Sequence, residues 1–367
     1  MDLKFETDYN TILAKLDKID PVKYSRSRNY IDGAVTCLSP YISRGVISTK
    51  QVLEVVLKKG YKIHQIEKFV NELCWRDYFQ RVGQVKDLHE NIKQAQTDVS
   101  NHEIPNRVLD AATGIEGIDS AITQLYQSGY MHNHCRMYLA MLVCNIAKSH
   151  WYNPSQWLYY HLLDGDLASN VCSWQWVAGA NSNKRYFANQ ENINKYTYTN
   201  QANTYLDNSY EALERLPTPP SLLGTQMFNG NLELPEPCDI SVNTTLPTFI
   251  YNYYNLDPLW HKDEPGNRVL LIEPDFFTKY PVSKKCINFM LELSKNIPGI
   301  QTYTGSFKSF VDKYEVKSIY YKEHPLNAGY SGIEDDRDWI TKEVSGYYPS
   351  FFSFWKKVEK KLHHYNP

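Results

Sequence analysis

The chain has 367 residues, 42% hydrophobic and 14% aromatic, with 39 basic against 41 acidic side chains and a formal net charge of −2. That length suits two domains or one large one, and the balanced charge excludes a general basic field for nucleic acid while leaving a local groove open. Seven cysteines without a CxxC pair argue against a disulfide framework or a zinc site, and the opening MDLKFETDYN has no apolar run to act as a signal peptide, so a cytoplasmic protein with reduced thiols, no metal and no membrane span is expected.

Residues 1–196 read as mostly helical. TILAKLDKI and STKQVLEVVLKK carry apolar residues at helical spacing. HQIEKFVNELCWRDYFQRV places Ile66, Phe69, Val70, Leu73, Trp75 and Phe79 near one helix face. GIDSAITQLYQSG predicts a helix opening near Gly117 and closed by Gly129. CRMYLAMLVCNIAKSHW is apolar almost all round and predicts one buried helix. PSQWLYYHLLDGDLASN predicts another, with Pro154 in its first turn. Over 197–266 prolines cluster and acids exceed bases, so irregular wrapping or linker structure is expected. Over 267–367, RVLLIEP, IQTYTG and VKSIYYKE read as strands, and SKKCINFMLELSKNI as an amphipathic helix capped by Ser283. That alternation predicts a small parallel α/β unit, closed by a terminal helix in FFSFWKKVEKKL. The expected fold is mainly α: an all-helical domain at 1–196, a connecting segment at 197–266 and the small α/β unit at 267–367.

Three clusters carry more chemistry than packing requires. Asp164 and Asp166 flank a glycine in DGDLASNVCSWQWVAGA, and buried aspartates need partners. Arg136, in the apolar helix, is the natural one; a structural ion pair and a functional one fit equally well. Glu72, Trp75 and Arg76 have i, i+3, i+4 spacing on one helix face, suiting either a planar polar ligand or an exposed Glu72–Arg76 pair beside a core tryptophan. Thr36, Ser39 and Ser43 flank a helix start containing Pro40, where hydroxyls and free amides can hold a phosphate or Ser39 can simply cap.

These residues carry a resemblance. NELCWRDYF, TGIEGIDSAITQLYQSGYMHNHCRM and DGDLASNVCSWQWVAG resemble, in order, three long blocks of the FAD-binding domain of the photolyase/cryptochrome family. The similarity spans roughly residues 20–196. It implies an all-helical domain holding a U-shaped FAD, with Arg136 paired to Asp164 beside the flavin ring. Asp166 would accept from flavin or ribose donors and Asn170 would face the flavin. Tyr24, Val35, Thr36, Cys37, Leu38, Ser39, Phe69, Glu72, Arg76, Asn133 and Leu167 would complete the cofactor site. Trp174 and Trp151 match the first two members of an electron-transfer chain, whose third tryptophan has no counterpart in 81–113.

By the same resemblance, Glu72, Trp75, Asn133 and Met137 would line a pocket for a pyrimidine dimer. Trp75 would stack on the extruded bases, while Glu72 and Asn133 bond their carbonyls. The implied function is light-dependent repair of cyclobutane pyrimidine dimers in DNA; the sparse basic charge of residues 1–200 adds an expected preference for single strands. A cryptochrome-like photoreceptor without repair, or a flavin-binding protein without photochemistry, are the alternatives. The sequence also departs from the family. The phosphate loop lacks an arginine at Cys37, Tyr130 and His134 replace a common tryptophan and arginine, and Ala188 follows Phe187. Neither an antenna domain before the flavin domain nor an antenna chromophore is expected, and the C-terminal unit is a candidate docking surface for a protein partner.

Overall fold

Several helices begin at a side-chain cap, among them those opened by Ser48, Asp166 and Ser283. The computed structural model describes residues 3–362. They group into two units that interleave along the chain. One comprises Lys23–Val35 and Lys86–Gly230, with residues 3 and 4; the other comprises Phe5–Val22, Thr36–Val85 and the described residues from Asn231 onward. Neither is contiguous in the chain.

The first unit is helical. Glu116–Ser128, Asn133–Met141, Tyr152–His161, Leu167–Ala178 and Gln190–Thr197 enclose a core that includes Leu139, Met141, Trp151, Trp157 and Trp174. Glu116–Ser128 stops where the sequence predicts. Gly129 takes φ +71°, and its N–H bonds the Leu125 carbonyl. A Cβ at Gly129 would lie 2.7 Å from the Leu163 side chain, so glycine is needed twice over.

Two expected helices are broken. The apolar run is α-helical only to Met141, and Leu142–Ile146 forms a π turn with all five residues buried. Ala147 N–H reaches back five residues to Leu142, which rotates the faces that follow. The next run is two helices because Asp166 competes with helix continuation: its carboxylate accepts the Ser169 N–H at 2.8 Å.

The second unit contains a five-stranded sheet, parallel throughout. Its order is Ile300–Thr304, Asn267–Ile272, Thr248–Tyr251, Ile319–Lys322, Ile333–Asp335. Phe249 pairs with Arg268 on one side and Tyr320 on the other. Lys284–Ser294, capped by Ser283 as predicted, and Phe307–Tyr314 lie in the connections. The chain is therefore α/β rather than mainly α. Its first strand, Thr248–Tyr251, lies within the stretch expected to be irregular. TFIY is buried at every position, yet four residues between Pro247 and Asn252 are too few to show a strand period. Among the described residues, no helix is long and apolar enough to cross a membrane.

Within this unit the long helix Glu67–Gly83 is tied to the C-terminal chain by one buried acid. Asp77 accepts the Thr49 hydroxyl at 2.8 Å and the Ile340 N–H at 2.9 Å. Burial pushes its carboxyl above the ordinary range, although both hydrogen bonds and Arg81 oppose the shift. Asp77→Ala strands both donors and is expected to cost ~1–3 kcal/mol, read from the urea midpoint. Asp77→Asn, which keeps an acceptor for Ile340, should cost less.

Candidate cofactor site

The residues expected to hold a cofactor or substrate divide between the two units. In the helical unit, Arg136 projects from Asn133–Met141. Its Nη2 donates to both oxygens of Asp164 at 3.0 and 2.9 Å, and its Nε donates to the Met131 carbonyl at 2.8 Å. The Asp164 side chain is 4% exposed and that of Arg136 21%. The guanidinium beside it offsets the cost of burying the carboxylate. The Tyr130 ring lies 5.5 Å from the guanidinium carbon, within cation–π reach.

Asp166, Ser169 and Asn170 cluster where Leu167–Ala178 begins, beside buried Leu167 and Ala168. The Asn170 amide donates to the Ser155 carbonyl at 2.8 Å, and its backbone N–H bonds Asp166. Ser169 Oγ is buried without a hydrogen-bond partner in the protein. An unsatisfied buried hydroxyl beside a carboxylate fits a cofactor rich in donors and acceptors, as FAD is. Among the described residues, no group of histidine, cysteine or acid side chains is arranged to hold a metal.

Tyr24 is half-buried in Pro21–Ser27, and Val35 is half-buried in the loop that follows. Asn133 is exposed at the first position of its helix, while Met137 packs, half-buried, against the helical core. His132 caps that helix, its Nδ1 accepting the His134 N–H at 3.2 Å. Burial, helped by His134 and Arg136, pushes the His132 pKa down to about 4. Trp174 and Trp151 share one core. Trp151 is fully buried, and its indole N–H donates to Asn91 Oδ1 at 2.9 Å.

In the second unit, Thr36, Cys37, Leu38 and Ser39 lead into the short helix Ser39–Ser43. Cys37 has φ +51°, an uncommon left-handed conformation for a residue with a side chain. Leu38, not Ser39, holds the cap position, and no side chain caps the helix. Phe69, Glu72, Trp75 and Arg76 lie on Glu67–Gly83, Phe69 buried and the others half-buried. Trp75 stacks on Phe351 of the helix Phe351–Leu362, with ring centroids 3.9 Å apart and planes 9° from parallel. Tyr78 and Phe354 extend this cluster. The face of Trp75 turned to Phe351 is thus already covered. Nothing near NELCWRDYF in the sequence signals that partner.

The sequence profile of the FAD binding domain of DNA photolyase matches residues 69–222. Residues 69–222 are thus similar to the FAD-binding domain of the photolyase/cryptochrome family. It is similar to a deoxyribodipyrimidine photo-lyase of Buchnera aphidicola subsp. Baizongia pistaciae, 30% identical over 43% of this chain and 36% of the relative. It is also similar to the deoxyribodipyrimidine photo-lyase of Agrobacterium fabrum, 28% identical over 47% of this chain and 39% of that one. A Synechocystis cryptochrome structure aligns with a TM-score of 0.48 at 24% identity, covering 53% of this chain and 44% of that chain. The matches span little more than a third of the length of these curated photo-lyases.

Two consequences can be measured without cofactor. Breaking a fully buried ion pair costs ~3–5 kcal/mol; because Arg136 keeps some water contact, Asp164→Ala should cost about half that, seen as a lowered Tm. For His132, the unfolded chain takes a proton near the ordinary pKa of about 6.5, whereas the folded site resists until about 4. Folding stability should therefore fall as pH drops through that window. His132→Asn, which can still cap the helix, should flatten the fall in urea titrations at successive pH values.

Proposed function

We propose that this chain is an FAD-dependent, light-driven lyase for cyclobutane pyrimidine dimers. The observation that carries the reading is the Arg136–Asp164 pair set close in sequence to Asp166, the unpartnered Ser169 hydroxyl and Asn170. These residues offer a fixed, charge-compensated polar surface. FAD, when bound, supplies light absorption and one-electron transfer. Arg136, Asp164, Asp166 and Asn170 bind and orient its ring end. Glu72, Trp75, Asn133 and Met137 are the residues proposed to receive the dimer. The relatives named deoxyribodipyrimidine photo-lyase support this reaction class.

Single-stranded DNA is the favoured substrate. Residues 1–200 hold 22 basic and 20 acidic side chains, counted from the sequence. Weak attraction for phosphates penalises duplex capture and base extrusion together.

The test is recovery of thymine absorbance from an oligonucleotide carrying one thymine dimer, with reductant, in blue light against dark. Recovery in light alone is expected, faster on single strands than on duplex. Glu72→Ala should slow it on the order of a hundredfold, as loss of one transition-state hydrogen bond does. Phe351→Ala should speed it by uncovering Trp75. The stacking of Phe351 on Trp75 favours a second reading, a photoreceptor that uses the same flavin without turning over dimers. Absence of recovery in both the wild type and Phe351→Ala, with FAD bound, would select it.

A further inference from the structure

Tyr152 opens the helix Tyr152–His161. Its ring stands edge-on to Trp151, with centroids 5.4 Å apart and planes at 81°. Its hydroxyl lies 2.5 Å from His89 Nδ1 and 3.2 Å from Gln156 Nε2. An amide nitrogen can only donate, so the tyrosine oxygen accepts from Gln156. With His89 in the tautomer protonated on Nε2, the Tyr152 O–H can donate to Nδ1. His89 is positioned for this: Asp87 accepts its backbone N–H at 2.9 Å, and neighbouring Leu88 packs against the helical core. Trp151 is fully buried, whereas Tyr152 and His89 are half-buried. The three form a short path from a dry interior toward water.

We propose that Tyr152 is the terminal electron donor of the Trp174–Trp151 pair and that His89 takes its proton. This rests on the reading of Trp174 and Trp151 as a relay to FAD. Bound FAD, photoexcited in its oxidised form, would supply the one-electron oxidant for Trp174, and the hole would pass to Trp151. Tyr152 then gives one electron to the Trp151 radical cation, restoring neutral tryptophan. The Tyr152 O–H bond breaks as it does so, and the proton moves to His89 Nδ1. The products are a neutral tyrosyl radical and an imidazolium. Electron and proton leave together because phenol without its electron is too acidic to keep the proton, and a base already stands within hydrogen-bond distance. Return of the electron then requires return of the proton, which slows recombination. The arrangement does the work of the tryptophan missing from 81–113.

The experiment is time-resolved absorption after a blue flash on FAD-loaded wild type, Tyr152→Phe, His89→Gln and Trp151→Phe. In the wild type the tryptophanyl band should give way to the tyrosyl band. Tyr152→Phe, which keeps the ring packing, should leave a persistent tryptophanyl radical and no tyrosyl radical. His89→Gln should slow tyrosine oxidation on the order of a hundredfold, within what a positioned base contributes. The wild-type step should also slow in deuterated solvent, an effect that packing alone does not produce. A tyrosyl band unchanged in Tyr152→Phe or in Trp151→Phe overturns the proposal.

If FAD-loaded wild type forms neither radical, the flavin-relay reading fails on its own, and flavin-free protein then decides the proposal. There, ruthenium tris-bipyridine flash-quench oxidation should trap a tyrosyl radical whose electron paramagnetic resonance signal is lost in Tyr152→Phe and altered in His89→Gln. The same signal in all three overturns it.

Discussion

A carboxylate almost wholly removed from water is tolerable only with a cation beside it, and Asp164 meets that condition through Arg136. Much of the helical unit follows from satisfying it. Arg136 must leave its helix on the side where Asp164 arrives, and Asp164 must arrive in non-helical chain. The gap between Tyr152–His161 and Leu167–Ala178 provides that chain, and Asp166 closes the gap by capping the second helix. Two aspartates one residue apart thus do different work. One neutralises a guanidinium, and the other decides where a helix begins.

What was legible in the sequence was local. Gly129 and Ser283 end and begin helices by chemistry confined to a few residues, and both do so here. The Arg136–Asp164 pairing could be anticipated because a buried guanidinium has few acceptable partners. The π turn at Leu142–Ile146 could not, since a uniformly apolar run carries no mark of which residue falls out of register. Thr248–Tyr251 was missed because its burial comes from neighbouring strands and not from its own pattern. The contacts Phe351–Trp75 and Tyr152–His89 join segments far apart in the chain, and neither side announces the other.

The two functional readings differ in what they ask of the same side chains. Repair asks Trp75 to be an open platform, and its stacking on Phe351 means a helix side chain already provides the aromatic contact a base would make. Photoreception asks only that charge, once separated, stays separated. The transfer proposed from Tyr152 to His89 would serve that need, and in a repair enzyme it would also help bring bound FAD to its reduced state.

The interleaving of the two units has a consequence for synthesis. Asp77 is made early, yet the backbone N–H it accepts belongs to Ile340, 263 residues later. The helix Glu67–Gly83 shares a unit with strands that emerge from the ribosome only after the whole helical unit has appeared. Its buried acid must therefore wait, partnered only by Thr49 or by water, while the intervening chain folds. Such a nascent chain has high contact order and a long-lived apolar surface. Chaperone dependence during translation would be written into the order of its segments, whatever the stability of the finished protein.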